Sequence, residues 1–401
     1  MMKKESSKDT KKAGVSRRNF LTAAAAVTAG AATLGFPSVL KAQGPINMRW
    51  QSTWPTKDIF HEFALDFAKY VNDMTGGDLK IEVLPAGAVV PAFGLLDAVA
   101  KGTLDGGHGV LGYHYGKQNA LALWNSGPCF GLDANMMLAW HKYGGGKELL
   151  AKLYASIGIT TVISFLTYPM NTQPFGWFKK PITKIEDMKG MKFRTNGLAI
   201  DLYTAMGAAV NALPAAEIVP ALDRGLLDGA EFNNATSDRR LGFQDVSKVC
   251  MLQSYHQSAE SFEIMFNKPK YDALPAKMKA IIAGCVEAAS ADAYWKSCDL
   301  FSKDYIELQT KDKVKFYKTP DSILQAQCKL WDEILQKKSA ENPMFKEIIA
   351  SQKAFAERVG KWDSDYNISQ RIARNYFFGK KAPAAAAPAK GEPAKAEPKK
   401  K

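Results

Sequence analysis

Two stretches of the chain carry the same short motifs in the same order. Leu84-Pro85-Ala86, Val90-Pro91-Ala92 and Lys101-Gly102-Thr103-Leu104-Asp105-Gly106 make the first set. Leu213-Pro214-Ala215, Val219-Pro220-Ala221 and Arg224-Gly225-Leu226-Leu227-Asp228-Gly229 make the second, with a six-residue difference in spacing. One short match arises by chance, whereas three in order point to a βαβ unit present twice and to a molecule of two related α/β lobes. Such lobes meet at a crevice, and crevices beyond strand ends are where α/β sheets hold ligands. A chain of 401 residues is too long for one ordinary core and ample for two.

Periodicity fills in the first lobe. Ile46–Gln51 alternates as a strand does, and Trp54-Pro55 breaks it. Ile59, Phe60, Phe63, Phe67 and Val71 recur at helical steps and Gly76-Gly77 closes that helix. A strand over 80–84, a helix over 93–101 and a strand over 105–110 follow, the alternation of a mainly parallel, helix-covered sheet. From Pro275 to Lys311 a helical pattern runs with one glycine and no proline. It is either a strut longer than 50 Å, at roughly 1.5 Å per residue, or two helices. A last helical segment follows Asn342-Pro343 and ends on Tyr376-Phe377-Phe378. It either caps its own core or meets a second subunit.

The net charge of +13 invites a nucleic-acid reading, which its distribution rejects. Residues 1–42 carry +6 and residues 380–401 carry +5, so the body between them holds only +2. The first 42 residues read as an export signal. Ser16-Arg17-Arg18-Asn19-Phe20-Leu21 is a twin-arginine pattern, a weakly apolar Ala-rich stretch follows, and Leu40-Lys41-Ala42 offers a cleavage point. An anchor is the competing reading, disfavoured by the small residues that fill the stretch. The last 22 residues, built of Ala, Pro, Lys, Glu and Gly, have nothing to bury. The five cysteines form no CxxC motif or Cys/His cluster and read as small hydrophobes.

The chain has no G-x-S-x-G elbow, no HExxH and no Walker lysine. Gly107-His108-Gly109-Val110-Leu111-Gly112 matches G-x-G-x-x-G, but the strand-then-helix context of a nucleotide site is missing, so close backbone packing is the better reading. The five histidines show no ligand spacing. The suggestive stretch is 173–257. Gly190-Met191-Lys192-Phe193-Arg194 puts an arginine at the end of a short strand, where a guanidinium can grip a carboxylate by two parallel hydrogen bonds. Gln173, Glu231 and Gln257 offer hard oxygen donors of the kind that suit Na⁺, Ca²⁺ or Mg²⁺.

These motifs, together with the Leu-Pro-Ala-Gly turn at 84–87 and the Leu-Asp-Gly-Ala-Glu run at 227–231, resemble the periplasmic solute-binding subunits of tripartite ATP-independent (TRAP) transporters. The TakP-like branch, which binds 2-oxo and hydroxy acids, is the most similar, and the likeness spans about residues 45–340. It implies an α/β, two-lobed periplasmic-binding-protein-like fold with a long strut helix. The expected boundaries are a signal over 1–42, lobe I over 43–167 with 258–340, lobe II over 168–257, a helical segment over 341–379 and a disordered tail over 380–401. The resemblance further implies that Arg194 holds a substrate carboxylate, with Gln173, Trp54, Phe232 and Asn233 around the ligand. A Na⁺ or Ca²⁺ ion would be held by Gln173, Glu231, Gln257 and the carbonyl of Phe232. Phe232 stands where this branch has Trp, and Gln257 where an acid is expected, which leaves a less negative metal site. Function follows as capture of a small carboxylate in the periplasm for membrane permease subunits, without organic cofactor or chemistry, with dimerisation through the C-terminal helix. The competing reading is an exported cofactor- or metal-dependent enzyme acting on small acids.

Overall fold

The computed structural model describes residues 44–379, so the segments expected to be signal (1–42) and tail (380–401) lie outside the described residues. Two mixed sheets organise the rest. β1 (Ile46–Ser52), β2 (Leu79–Leu84), β3 (Gly106–Gly109), β4 (Val162–Met170) and β10 (Glu260–Asn267) form the first, in the order β2-β1-β3-β10-β4. β5 (Gly176–Phe178), β6 (Lys192–Arg194), β7 (Ala209–Asn211), β8 (Gly229–Ala230), β9 (Val249–Leu252) and β11 (Lys315–Lys318) form the second, in the order β11-β9-β5-β8-β6-β7.

The repeated motifs mark equivalent units. In the first sheet β1 leads through α1 (Ile59–Met74) to β2 and through α2 (Leu95–Ala100) to β3. In the second, β6 leads through α5 (Ala199–Ala205) to β7 and through α6 (Ala215–Asp223) to β8, with α3 (Ala134–Tyr143) and α4 (Gly146–Ser156) lying earlier in the chain. The central strand of each unit is flanked by the other two, and an antiparallel strand completes each set, β10 beside β3 and β5 beside β8. One of the three matches is not structurally equivalent. Val90-Pro91-Ala92 precedes its helix, whereas Val219-Pro220-Ala221 lies inside α6. The six-residue difference is taken up there.

α1 forms where the periodicity places it. The Asp58 side chain caps it by accepting from the Phe60 amide, and Ile59, Phe60, Phe63, Phe67 and Val71 face the core. The glycines of the G-x-G-x-x-G motif serve packing. Gly107 and Gly109 lie within β3, and a Cβ at Gly107 would stand 2.9 Å from the Gln51 carbonyl. At Gly112 it would stand 2.2 Å from Asn125 Oδ1. A 3₁₀ turn, Leu111–His114, follows instead of a helix.

Besides the long connection 268–314 from β10 to β11, two short segments carry the chain between the sheets, 171–175 from β4 to β5 and 253–259 from β9 to β10. They touch, since the Gln173 amide donates to the Gln257 carbonyl at 3.1 Å. After α7 (Ala235–Leu241), α8 (Phe243–Val246) and α9 (Lys268–Asp272), the long pattern proves to be one helix, α10 (Ala276–Thr310). It packs on β4 and α1 of the first sheet's layer and on α7 of the second's. Ion pairs fix it to both: Lys296, just past its middle, pairs with Glu62 and Asp66 on the α1 side, and Arg239 of α7 lies within 2.5–2.8 Å of Asp304, Glu307 and Asp312. α11 (Asp321–Glu341) and α12 (Pro343–Tyr366) follow, and Phe345, Ile348, Ile349 and Phe355 bury α12 against the body. α13 (Gln370–Phe378) buries nothing. The two readings of the terminal segment thus divide between two helices: α12 caps the core and α13 is left uncovered.

All five cysteines are free, three of them buried, and all five histidines are buried. Within β10, Glu263 is fully buried and accepts from the Tyr154 hydroxyl. Burial pushes its carboxyl up to about 7. A carboxyl pKa raised by folding adds stability at low pH, and that stability is lost as pH rises from its unfolded value near 4.5 through 7. Between pH 4.5 and 8 the wild type should therefore lose about 3 kcal/mol relative to Glu263→Gln, as read by denaturant melts of both proteins.

Candidate functional site

Arg194 is the last residue of β6, and its side chain is 0% exposed. Its Nε donates to the Leu213 carbonyl at 2.8 Å. Its Nη1 donates to the Glu231 carbonyl at 3.0 Å and to Glu231 Oε1 at 2.9 Å. Only Nη2 has no protein partner. This corrects the expected two-point grip: one nitrogen of the guanidinium is left for a ligand, because the other two hold the site together. Glu231, also 0% exposed, keeps Oε2 unpartnered. Burial raises its carboxyl pKa and the Arg194 charge opposes that rise.

The residues after β8 are pinned from below. Asp238, at the start of α7, accepts from the Asn233 amide at 3.0 Å and from Trp177 Nε1 at 2.7 Å. Phe232 lies with its ring 5.7 Å from the Arg194 guanidinium carbon and packs against Phe60 of α1 at 6.1 Å between centroids. Both sheets' layers thus contribute to one buried site. Asn233 does not serve as expected. Its Nδ2 donates to Glu260 Oε2 at 2.6 Å and its Oδ1 accepts from Asn234, so the side chain supports Glu260. Trp54 is likewise displaced. Its indole nitrogen donates to His108 Nδ1 at 2.8 Å, and its ring packs on Phe60, Tyr113 and Phe262, behind the residues that meet Phe232.

Glu260, at the start of β10, is the residue that spacing did not single out. It is 3% exposed and burial pushes it up to about 7. Gln173 Nε2 donates to it at 3.2 Å and Gln257 Nε2 at 3.0 Å. A carboxylate oxygen can only accept from an amide nitrogen, so this acid turns both amide oxygens away from itself. Gln173 Oε1 and Gln257 Oε1 are accordingly buried and unpartnered, as is Glu231 Oε2. The acid expected at position 257 is thus supplied three residues later, behind the glutamines rather than beside them. Tyr113, whose hydroxyl is also buried without a partner, stands near enough to feel the charges of Arg194, Glu260 and Glu231. Buried polar atoms are ordinarily paired, so this concentration of unpaired ones marks a place built for something polar.

The donor set fits a hard cation. One carboxylate and two amide oxygens suit sodium or calcium better than zinc or copper. No group of three or more His, Cys, Asp or Glu side chains poised for a metal occurs among the described residues. His108 and His256 are held near 3 by burial and stay neutral, so neither competes as a charge.

Comparison with known proteins places the chain and its fold. The model of the family "Bacterial extracellular solute-binding protein, family 7" matches residues 51–342. A monocarboxylate 2-oxoacid-binding periplasmic protein of Nostoc is 31% identical over 86% of this chain and 95% of its own length. Among solved structures, a TRAP periplasmic solute-binding protein of Pseudoalteromonas atlantica with bound sodium and pyruvate superposes with a TM-score of 0.76 at 29% identity, covering 83% of this chain and 99% of that one. A TRAP solute-binding protein of Bordetella bronchiseptica superposes at 0.78 with 26% identity, over 84% and 98% of the two chains. That structure is a mixed-occupancy dimer with calcium and picolinate in one site. Proteins of this kind are transport receptors, which removes the enzyme reading, and their bound groups are simple cations and carboxylates with no organic cofactor. The two-lobed fold, the buried arginine and the match across residues 51–342 lead to one assignment: this chain belongs to the family 7 bacterial extracellular solute-binding proteins, the periplasmic receptors of TRAP transporters.

Proposed function

We propose that this receptor captures a 2-oxo or 2-hydroxy carboxylate together with a cation, and hands it to TRAP permease subunits. The observation that carries the reading is the cluster of unpartnered buried atoms, Arg194 Nη2 with the side-chain oxygens of Gln173, Glu231 and Gln257. Relatives named for 2-oxoacid binding, or holding pyruvate with sodium, support it. Gln173, Glu231, Gln257 and the carbonyl of Phe232 are the residues that would hold the cation. The cation would supply positive charge to the ligand's carboxylate and α-oxygen together. Arg194 and Glu231 cancel one another, so a monocarboxylate needs one further positive charge. Arg194 Nη2 holds the carboxylate, and Phe232 and Phe60 cover the apolar part.

Closure has its own contacts. The Tyr115 hydroxyl donates to Asp201 of α5 at 2.7 Å, and Lys338 of α11 reaches Asp201 at 2.9 Å. Across the opposite side, Ser237 of α7 donates to Asp58 and Arg240 pairs with Glu62 at 3.0 Å. A ligand touching both layers favours the state in which these pairs form. Export by the twin-arginine route, on the strength of Ser16-Arg17-Arg18-Asn19-Phe20-Leu21, belongs to the same proposal. So does dimerisation through α13, where Ile372, Tyr376, Phe377 and Phe378 are 69–86% exposed.

Three measurements test the reading. Titration calorimetry with pyruvate and sodium or calcium should show Arg194→Lys binding about 100-fold more weakly with its circular dichroism unchanged, since lysine cannot keep Glu231 and the ligand at once. Equal affinity would overturn the role of Arg194. In stopped-flow release, Asp201→Asn should let the ligand go roughly five to ten times faster while the ligand-free melting temperature holds. In light scattering, deletion of residues 367–401 should convert a dimer to a monomer that still binds; a full-length monomer would remove the dimer from the proposal.

A further inference from the structure

The contacts that join the two layers differ in kind. On one side Asp201 accepts from the Tyr115 hydroxyl at 2.7 Å and pairs with the Lys338 ammonium at 2.9 Å. On the other side Asp58, which leads α1, accepts from the Ser237 hydroxyl in the first turn of α7 and from the Phe60 amide at 3.2 Å. Both of those donors fall on Oδ1, while Oδ2 is buried without a partner. Asp58 is 1% exposed and Ser237 0%. Among the described residues Asp58 takes part in no ion pair. The first layer thus meets the second here through a carboxyl that faces a hydroxyl rather than a cation.

The neighbouring groups do not supply the missing charge. Arg240 of α7 acts on Asp58, but its guanidinium is spent on Glu62 at 3.0 Å. Lys296 of α10 goes to Glu62 as well, at 3.3 Å. Asp238 of α7 repels Asp58, and Tyr113 of the 111–114 turn is a neutral phenol. His61 of α1 hydrogen-bonds Ser52 Oγ at 2.9 Å, and burial holds it below its ordinary value, so it brings no charge at neutral pH. An unpaired hydroxyl is far cheaper to bury than an unpaired charge. Burial accordingly pushes Asp58 up to about 7. When the layers part, Ser237 leaves with α7 and the carboxyl meets water, where its ordinary value is 3.8. Asp238, also near 7, behaves differently: Trp177 and Asn233 hold it within the second layer, so parting leaves its partners in place.

We propose that capture of the ligand takes up one proton from solvent, held at Asp58 between α1 and α7 of the closed form, so that acid favours capture and a rise in pH favours release. This rests on the reading of the molecule as a receptor that closes on a carboxylate, and it adds a regulation of that site. The closed form holds the proton more tightly than the open form. Affinity therefore rises as pH falls below 7 and stops rising below 3.8, and well above 7 this group no longer affects it.

Titration calorimetry of the full chain tests this, with pyruvate and with lactate, each with sodium or calcium, from about pH 6 to about pH 8 in buffers of low and high ionisation enthalpy. Both acids stay ionised over that range. Asp58→Asn keeps the helix cap and the acceptor for Ser237 and stands for the protonated acid. The ratio of Asp58→Asn to wild-type affinity should rise about tenfold from pH 6 to pH 8. Groups that titrate alike in both proteins, Glu260 among them, cancel in that ratio. The wild type should take up about 0.9 proton per ligand more than the variant at pH 6, and about 0.1 more at pH 8. Ser237→Ala removes a donor to the ionised carboxyl and should move the rise in affinity to higher pH. Circular dichroism and binding at pH 6 report that both variants are folded. A pH-independent ratio, equal proton uptake in Asp58→Asn and wild type, or no proton uptake by the wild type at pH 6 would each overturn the inference and leave the receptor reading standing. Failure of both acids to bind with either cation at any pH would remove the receptor reading and this inference together.

Discussion

A guanidinium and a carboxylate with no exposure to water, Arg194 and Glu231, set the terms for the rest of the site. Burying two charges costs several kcal/mol per ion unless the geometry and the surrounding hydrogen bonds offset it. Here the offset comes from carbonyls: Leu213 and Glu231 itself accept from the guanidinium. The pairing leaves one arginine nitrogen and one glutamate oxygen over. Those two leftover atoms carry opposite character, which is why a site neutral in sum can meet an anion and a cation side by side.

The second layer of organisation is Glu260. It touches no leftover atom, yet it decides where two of them point, because both glutamine nitrogens donate to it. Its pKa near 7 reflects how little solvent reaches it. Asn233 donates to the same carboxylate, so the loop that carries Glu231 and Phe232 is tied to both crossing segments through a single side chain. Opening the molecule would disturb that knot, and with it the orientation of the donors.

Much of this was legible in the residues. The doubled turns fixed the two βαβ units, since Leu-Pro-Ala and Leu-Asp-Gly stand where strands end and begin. The pattern over 275–311 placed one helix or two where α10 runs, and the basic residue closing a short strand announced Arg194. Other features were hidden for physical reasons. β10 is buried on both faces, so alternation cannot say that Glu260 serves the site while Glu263 serves the core. Trp54 looked like a ligand cover because its indole partner, His108, lies on another strand. Tyr113 sits in a 3₁₀ turn that carries no period, and its importance emerges only when the second layer packs over it. The Tyr115–Asp201 contact joins residues from different layers, which no local pattern encodes.

The continuity of α10 has a mechanical corollary. Glu287 and Asp292, in the first half of this 35-residue helix, bind Lys142 of α3 and Tyr70 of α1, and Asp304 and Glu307, near its end, bind Arg239 of α7. A beam fastened to both leaves of a door forbids sliding and twisting and leaves flexure as the soft mode. The beam must bow between the two fastenings whenever the leaves part, so its elasticity opposes gaping and adds a restoring force that the cargo does not have to provide.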